Sequence, residues 1–326
     1  MVSILLVLFV VGYITITLEQ SIQINKSATA LITAVLCWTL IVLNADNKEI
    51  VIDSLTHHLS SISEIVFFLL GAMTIVELID AHDGFQQIAE AIKTTHKTKL
   101  VWLIALITFF LSAVLDNLTT TIVMISILNK LIQDKKVKWL LLGLVIIASN
   151  AGGAWSPIGD VTTTMLWIGG QITPINIVKQ VFFASLVSMA LPTLIVNYLI
   201  KGPITLKPVI ENNLNFNSNV FERNLIFYVG IGCLLFVPIF KTFTHLPPYM
   251  GMLLCLGIIW VVTELLHKKK ADDEKGILSV NHAIRKIDTP SILFFFGILM
   301  AIASLEYVGV LPQMAAYLNS SIGNIN

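Results

Sequence analysis

Long apolar runs without charged residues constrain this chain more than any other feature of its sequence. The hydrocarbon core of a bilayer is about 30 Å thick, and about 20 helical residues cross it. Several of the runs approach that length, so they predict an all-α polytopic membrane protein. The first run has no basic segment before it and no small-residue cleavage site, so it is predicted to stay as a helix. The runs are Val2–Leu18, Ser27–Ala45, Ile65–Val76, Leu100–Leu115, Asn117–Asn129, Trp139–Gly159, Val161–Val178, Gln180–Ile200, Asn224–Phe240, Leu246–Thr263 and Thr289–Leu305.

The overall composition supports this class and excludes others. Hydrophobic residues make up 56% of the 326 residues, and the mean hydropathy is +0.85. Charged residues make up only 12%, whereas soluble domains carry about 25%. With a net charge of zero, these values exclude an intrinsically disordered chain, a disulfide scaffold and a nucleic-acid-binding protein. All three cysteines lie in apolar runs, so they are predicted to be small core residues, and no cofactor is expected.

Basic residues predict the orientation of the helices, because lysine and arginine concentrate in cytoplasmic loops. The basic clusters within 93–99, 130–138 and 268–286 are therefore placed in the cytoplasm. The mildly acidic segment 45–63 and the segment 169–179 are predicted to be outer loops. This arrangement puts the N-terminus outside.

The segment between the first two basic clusters is too short for two membrane crossings. Leu100–Asn129 has roughly 30 residues, while two crossings need about 40. A re-entrant hairpin over residues 99–130 resolves this conflict, with its tip near Asp116 and Asn117. Irregular backbone at that depth is tolerated only where it is buried in protein or lines a wet cavity.

The next apolar stretch, residues 138–170, is too long to be one straight membrane helix. At about 1.5 Å per residue it would extend about 50 Å. Its middle contains Gly152, Gly153 and Pro157, which interrupt helices. We therefore predict a broken helix in which residues 150–157 are unwound, next to the hairpin and sharing one site with it.

A weak internal repeat relates two distant parts of the chain. Val66–Met73 resembles Ile292–Leu299, and the charge rule orients the two copies in opposite directions. Inverted repeats with broken helices near the bilayer midplane are typical of secondary transporters. Four segments are therefore predicted. They are two N-terminal scaffold helices with an outer loop (1–63), a first repeat with the hairpin and the broken helix (64–201), a cytoplasmic linker (202–223), and the start of an incomplete, inverted second repeat (224–326).

The first of two polar stretches surrounds the predicted hairpin tip. A carboxylate such as Asp116 is costly to keep in an apolar run, which makes it a functional candidate. Asn117, Thr119 and Thr120 follow it, and carboxylate, amide and hydroxyl oxygens suit a small hard cation. The alternative is that Asp116 or Asn117 only caps the following helix, a role that is compatible with ion binding.

The second polar stretch repeats this chemistry around the predicted break. Asn150 precedes the break, and Asp160 follows it together with Thr162 and Thr163. A carboxylate in the first turn of a half-helix is stabilised by the helix dipole, and free backbone carbonyls at the break would add ligands for a cation. The alternative for the threonines is that their hydroxyls bond back to their own helix.

The histidines have no role in the predicted site. His82 lies near the cytoplasmic end of its helix and is predicted to be solvated, while His57 and His58 lie in the predicted outer loop. Histidine can sense pH near neutrality, but a solvated surface position is the favoured interpretation for each of them.

The two polar stretches together resemble a known family. Ser112–Thr121 is similar to the first signature of the NhaD-type sodium/proton antiporters, and Asn150–Trp167 is similar to their second. The resemblance is densest over residues 64–170 and extends more weakly over the whole chain. These antiporters belong to the ion transporter superfamily, together with arsenite pumps and dicarboxylate carriers.

The resemblance implies a secondary transporter, and not an enzyme, that exchanges Na⁺ or Li⁺ for H⁺ by alternating access and serves pH and sodium homeostasis. It implies the inner membrane of a bacterium, with the lipid bilayer, the two ions and a second copy in a homodimer as partners. The family has a second hairpin and a second broken helix, so the chain is expected to be truncated in its second repeat. The residues implied to bind the cation are Asp116, Asn117, Asn150, Asp160, Thr162 and Thr163.

Three alternatives stay open at the level of sequence. An anion carrier of the same superfamily would bind a carboxylate or arsenite at helix N-termini, although two membrane aspartates would repel it. An intramembrane aspartyl protease would use Asp116 and Asp160, but Pro157 stands where such enzymes have the first glycine of their Gly-x-Gly-Asp motif. A structural membrane protein without transport would not need polar residues at helix breaks.

Overall fold

The described residues fold almost entirely into helices. The structure, a computed structural model, describes residues 1–92, 94, 96–200, 219–268, 270 and 272–322. The helices are α1 (Val2–Thr17), α2 (Glu19–Ile22), α3 (Lys26–Leu43), α4 (Lys48–Ala81), α5 (Gln86–Ala91), α6 (Lys97–Leu115), α7 (Asn117–Leu131), α8 (Lys135–Ala154), α9 (Val161–Ile168), α10 (Pro174–Leu199), α11 (Val220–Thr244), α12 (Pro248–Leu266), α13 (Asp272–Ile277), α14 (Val280–Lys286), α15 (Thr289–Tyr307) and α16 (Val310–Ile322).

These helices confirm the all-α membrane class. Within the described residues, eight helices are long and apolar enough to cross a membrane. The shorter α1 and α7 are also apolar. Most of the 202–223 linker predicted from sequence lies outside the described residues, and its last four residues belong to α11. The membrane-crossing helices are α3, α4, α6, α8, α10, α11, α12 and α15.

The predicted outer loop over 45–63 is wrong. Helix α4 begins at Lys48 and continues without interruption for 34 residues, or about 51 Å at 1.5 Å per residue. Polar residues in 48–63 suggested a loop, yet the helix has an apolar side there on which Val51 and Ile62 are buried. Helix formation depends on that apolar side and not on the mean polarity of the segment.

The first of two compact units consists of Met1–Leu69 and Asp288–Asn326. Helix α3 packs against α15 and α1 in this unit. The indole Nε1 of Trp38 donates a hydrogen bond of 2.9 Å to the carbonyl of Met300. Both residues belong to the hydrophobic core of the unit, so the tryptophan's polar atom is satisfied inside an apolar environment.

The second unit consists of Leu70–Ile287 and contains both predicted polar stretches. Here α8 packs against α6, α7 and α10, and α11 packs against α12. The predicted hairpin is present as α6 and α7, which are interrupted only at Asp116. Ser112 of α6 and Thr121 of α7 both contact Ser149 of α8, so the two helices fold back on one another. Helix α6 alone is long enough to cross a membrane, and re-entry of the hairpin stays a prediction.

The broken helix is present, but its break is displaced from the predicted one. Helix α8 continues through Gly152 and Gly153 to Ala154, and α9 begins only at Val161. The interruption therefore spans 155–160 and not 150–157, which leaves Pro157 inside it and both glycines in the helix. The two pieces are also unequal, with 20 residues in α8 and 8 in α9.

Two histidines form a buried pair in the second unit, which contradicts the prediction of a solvated His82. His82 follows the last residue of α4, and His267 follows the last residue of α12. Their exposed fractions are 0% and 1%. Their Nε2 atoms are 3.3 Å apart, and Nδ1 of His82 lies 2.7 Å from the carbonyl of Leu78. The ion pair between Lys270 and Glu222 places one positive and one negative charge near both rings.

Acid is expected to destabilise the fold through this histidine pair. Burial lowers the pKa of His82, and burial followed by the neighbouring His82 lowers the pKa of His267 to about 4. As the pH falls, the unfolded chain therefore takes up protons on these histidines at a higher pH than the folded chain does. The free energy of unfolding keeps this contribution above the unfolded pKa of about 6.5 and loses it as the pH falls below that value. Between pH ~7 and pH ~5 the thermal unfolding midpoint should fall by several degrees.

The measurement is a thermal unfolding series in detergent over that pH range. His267→Gln removes one titrating ring of the pair and should flatten the pH dependence. His96→Gln is the matched control because His96 is exposed, and it should retain the pH dependence of the unchanged chain. An equally steep pH dependence in His267→Gln would contradict this interpretation of the pair.

Candidate functional site

Asp116 occupies the junction between α6 and α7 in an unusual backbone conformation. Its φ of 99° and ψ of 157° lie in a region that residues with a side chain rarely adopt. Its Oδ1 accepts a hydrogen bond of 2.8 Å from the backbone N–H of Thr119, and its Oδ2 accepts one of 2.7 Å from the Thr119 hydroxyl. Asp116 is thus the N-cap of α7, and the strained backbone marks the turn as a functional candidate.

Asp160 caps α9 in a related way. Its Oδ1 accepts a hydrogen bond of 2.7 Å from the backbone N–H of Thr162. The hydroxyls of Thr163 and Thr164 both donate to the main-chain carbonyl of Asp160 at 2.9 Å. The hydroxyls of these two threonines therefore bond back to the main chain at the start of their own helix, as the alternative interpretation predicts. The side-chain Oδ2 of Asp160 is left to face a different partner.

That partner is the amide of Asn117, the first residue of α7. Its Nδ2 donates to Asp160 Oδ2 at 2.6 Å and to Asn150 Oδ1 at 3.1 Å. Asn150 in turn donates from its own Nδ2 to the carbonyl of Ile146 at 2.8 Å. We call Asn117, Asn150 and Asp160 the polar triad. It joins the hairpin, the end of α8 and the start of α9 at one point.

Hydroxyl groups around the triad hold these elements together. The Ser112 hydroxyl donates to the carbonyl of Ser149 at 2.6 Å, and the hydroxyls of Ser149 and Thr121 are 2.7 Å apart. The Thr121 hydroxyl also reaches the carbonyl of Asn117 at 2.7 Å. Ser156, in the interruption, donates to the carbonyl of Ala113 at 2.5 Å. Such interhelical bonds between small polar residues are common in membrane helix packing.

Close backbone packing explains why Gly152 and Gly153 stay helical. A Cβ on Gly152 would overlap the carbonyl of Phe109 in α6, and a Cβ on Gly153 would overlap the carbonyl of Gly159. Each glycine costs about 1 kcal/mol of helix propensity relative to alanine. The contact with α6 and with the returning chain offsets that cost, since only glycine lets the backbones approach so closely.

Most of the predicted binding residues are brought together, with differences in role. Asn117, Asn150 and Asp160 meet directly, while both carboxylate oxygens of Asp116 are bonded to Thr119. The side chain of Thr162 is exposed, whereas Thr120 is fully buried. The Thr120 hydroxyl finds no hydrogen-bond partner in the described part of the chain. The site therefore contains one connected triad, with Asp116 one residue from it.

Sequence reasoning assigned no role to the hydroxyls of Ser112, Ser149 and Thr121. Ser112 and Thr121 lie in the first motif, and Ser149 and Ser156 lie in or beside the second. The available signal was a set of small polar residues inside otherwise apolar helices, which often mark helix contacts in membranes. The pairing itself is not readable from one sequence.

Comparison with known proteins identifies relatives along nearly the whole chain. The CitMHS family, described as Citrate transporter, matches residues 6–325. Sodium/proton antiporter 1 of Arabidopsis thaliana is 45% identical over 319 residues, which cover 98% of this chain and 55% of that protein. For Sodium/proton antiporter 2 of the same plant, the identity is 45% over 320 residues, covering 98% and 75%.

A bacterial relative matches at lower identity. The Na(+)/H(+) antiporter NhaD of Alkalimonas amylolytica is 26% identical over 335 residues, covering 94% of this chain and 68% of that protein. The chain thus spans about half the length of the first relative and larger shares of the other two. The resemblance inferred from the two polar motifs is confirmed, and the chain belongs to the CitMHS family as a relative of its NhaD-type sodium/proton antiporters.

Proposed function

We propose that the chain acts as a secondary transporter that exchanges Na⁺ or Li⁺ for H⁺ by alternating access. The observation that carries this proposal is the convergence of Asn117, Asn150 and Asp160 from three elements. The chemistry of the site is that of a cation site, because a carboxylate and two side-chain amides supply oxygen ligands. The sodium/proton antiporters among the relatives support the same reaction.

The charge of the site favours a cation over an anion. The family description names citrate, and a citrate site needs positive groups or unpaired N–H donors. The carboxylates of Asp116 and Asp160 occupy the N-cap positions of α7 and α9, where they accept hydrogen bonds from the backbone N–H groups of Thr119 and Thr162. An anion at either helix N-terminus would therefore lie beside a carboxylate. Both aspartates would also repel a carboxylate substrate.

Exchange follows from competition at one carboxylate. The carboxylate of the half-buried Asp160 accepts hydrogen bonds from Asn117 and Thr162, and it is the group at which Na⁺ and a proton compete. A bound Na⁺ excludes that proton, and a bound proton removes the charge that attracts Na⁺. Loading one ion on each side of the membrane in turn then exchanges them without further machinery. We assign Asp116, Thr119, Thr120, Thr162 and Thr163 to the same site.

The inverted repeat is part of the proposal, and two glycine contacts support it. Gly71 in α4 and Gly297 in α15 occupy equivalent positions in the repeated segments. A Cβ on Gly71 would lie 2.7 Å from Met252 of α12, and a Cβ on Gly297 would lie 2.8 Å from Ala30 of α3. Gly71 of the first copy thus packs against α12, which precedes the second copy in the chain. Gly297 of the second copy packs against α3, which precedes the first copy. Such an exchange is expected of interleaved inverted repeats.

The proposal also covers the orientation of the chain, the membrane that contains it and its oligomeric state. The positive-inside rule puts the N-terminus outside and the His82–His267 pair on the cytoplasmic side. A bacterial cytoplasmic membrane is supported by the bacterial relatives at 24–27% identity, while the relatives at 45% identity come from a plant. We also propose that the chain forms a homodimer in the lipid bilayer. Light scattering of the detergent-solubilised chain tests this oligomeric state.

Proton movement in vesicles tests the function. The chain is expressed in a bacterial host without its own sodium antiporters, and a pH-sensitive dye is followed in everted vesicles. We expect dequenching of the dye on addition of NaCl or LiCl, and no response to choline chloride. A response to sodium citrate that NaCl does not produce would support the anion carrier instead.

A further inference from the structure

The orientation of the Asn117 amide in the polar triad is determined by its neighbours. The Asn150 amide donates its Nδ2 to the carbonyl of Ile146, so its Oδ1 must face Asn117. The other neighbour is a carboxylate oxygen of Asp160. Because both neighbours are acceptors, Asn117 must present its NH₂ group to them. This assignment follows from the hydrogen-bond network.

The NH₂ group of Asn117 and a cation compete for the same two oxygens. The two N–H bonds point at Asp160 Oδ2 and Asn150 Oδ1, at 2.6 and 3.1 Å from Nδ2. A cation between these oxygens would meet the positive ends of both N–H dipoles. Rotation of the amide by about 180° about Cβ–Cγ would put Oδ1 where Nδ2 lies, because the two ends of an amide have almost the same shape.

The rotation is accessible to this side chain. Torsions between sp³ and sp² carbons are broad and roughly two-fold. In the part of the chain that the structure describes, no residue donates a hydrogen bond to Oδ1 of Asn117, so rotation breaks only the two bonds of the NH₂ group. The site is also accessible, since Asn117 and Asp160 are half-buried and Asn150 is exposed.

We propose that the Asn117 amide is a two-position gate of the cation site. In one position its NH₂ group bridges Asp160 and Asn150. In the other its carbonyl oxygen joins theirs as a third ligand for Na⁺ or Li⁺. This inference rests on the proposed function, and it explains why an amide serves here, since a carboxylate at position 117 would have acceptors only.

Two substitutions at this position should change Na⁺ affinity in opposite directions. Asn117→Asp removes the competing N–H donors and adds a charge, so at about pH 8.5 it should bind ²²Na⁺ about tenfold more tightly. The two carboxylates would then share a proton, so its affinity should fall more steeply as the pH is lowered. Asn117→Leu keeps the size but has neither donor nor acceptor, and it should bind about tenfold more weakly.

Controls separate this gate from a general effect of charge or of folding. Asn129→Asp adds the same charge to an exposed position of the same helix and should leave Na⁺ affinity unchanged. Thermal unfolding of each variant identifies loss of folding. If Asn117 only holds α7 in place, both of its variants will bind Na⁺ more weakly, and that result overturns the gate.

A measurement on the unchanged chain completes the test. With ¹⁵N-labelled asparagine, the side-chain resonance of Asn117 is identified by its disappearance in Asn117→Leu. We expect Na⁺ to shift this resonance, because its NH₂ group leaves the carboxylate, whereas choline should not shift it. An unmoved resonance in chain saturated with Na⁺ overturns the gate while the proposed function stands. Absence of Na⁺ binding by the unchanged chain overturns the proposed function together with the gate.

Discussion

Asp160→Asn is expected to abolish sodium-driven proton movement while the chain stays folded. Asparagine is as good an N-cap as aspartate, so the hydrogen bond to the Thr162 N–H can persist. The charge that attracts Na⁺ and the group that takes up the proton are both lost. Dye dequenching in everted vesicles should fall by more than about tenfold, because a full charge beside a bound cation contributes well over 1.4 kcal/mol.

The matched control is another capping aspartate. Asp134 caps α8 through hydrogen bonds to the N–H groups of Lys136 and Val137, and it does not contact the polar triad. Asp134→Asn makes the same chemical change at the same kind of position and should leave the dye response intact. Asp116→Asn is expected to impair the response as well. Unchanged exchange in both Asp116→Asn and Asp160→Asn would contradict the proposed site.

Gly152→Ala is expected to have the largest effect on stability. The added methyl group would overlap the carbonyl of Phe109, which is backbone and cannot move aside as a flexible side chain can. Helices α6 and α8 would have to separate, and overpacking typically costs about 1–3 kcal/mol. The polar triad would also be disturbed, since Asn150 lies two residues earlier on α8. We expect a large fall in the thermal unfolding midpoint and in yield.

Gly143→Ala is the control on the same helix. Nothing lies within 4 Å of a Cβ at Gly143, and the residue is exposed. Its replacement should be neutral or stabilising by about 0.5–1 kcal/mol, because alanine favours the helix. Equal behaviour of the two variants in thermal unfolding would show that α6 and α8 do not pack closely at Gly152.

The hairpin tip and the members of the site could be predicted because their signal is local. A charge and an amide inside an apolar run, such as Asp116 and Asn117, are rare enough in membranes to mark a functional position. Asn150 and Asp160 stand out in the same way around a Gly-rich and Pro-containing segment. Each of these residues is conspicuous without knowledge of its neighbours in space.

The features that were predicted wrongly depend on contacts between distant residues. The helical state of Gly152 depends on Phe109, 43 residues earlier in the chain. The burial of His82 depends on a ring 185 residues away. The extension of α4 back to Lys48 depends on the burial of apolar residues such as Val51. Local propensity is a weak prior in each case, because tertiary packing overrides it.

Competition between Na⁺ and H⁺ at the polar triad is the central claim, and equilibrium binding of ²²Na⁺ to the purified chain tests it most directly. Affinity is measured from about pH 5.5 to about pH 8.5 for the unchanged chain and for Asp160→Asn. The claim predicts that Na⁺ affinity falls by up to about tenfold per pH unit on the acidic side of the range, and that Asp160→Asn removes the binding. The same Na⁺ affinity at every pH, or Na⁺ binding that survives in Asp160→Asn, would contradict it.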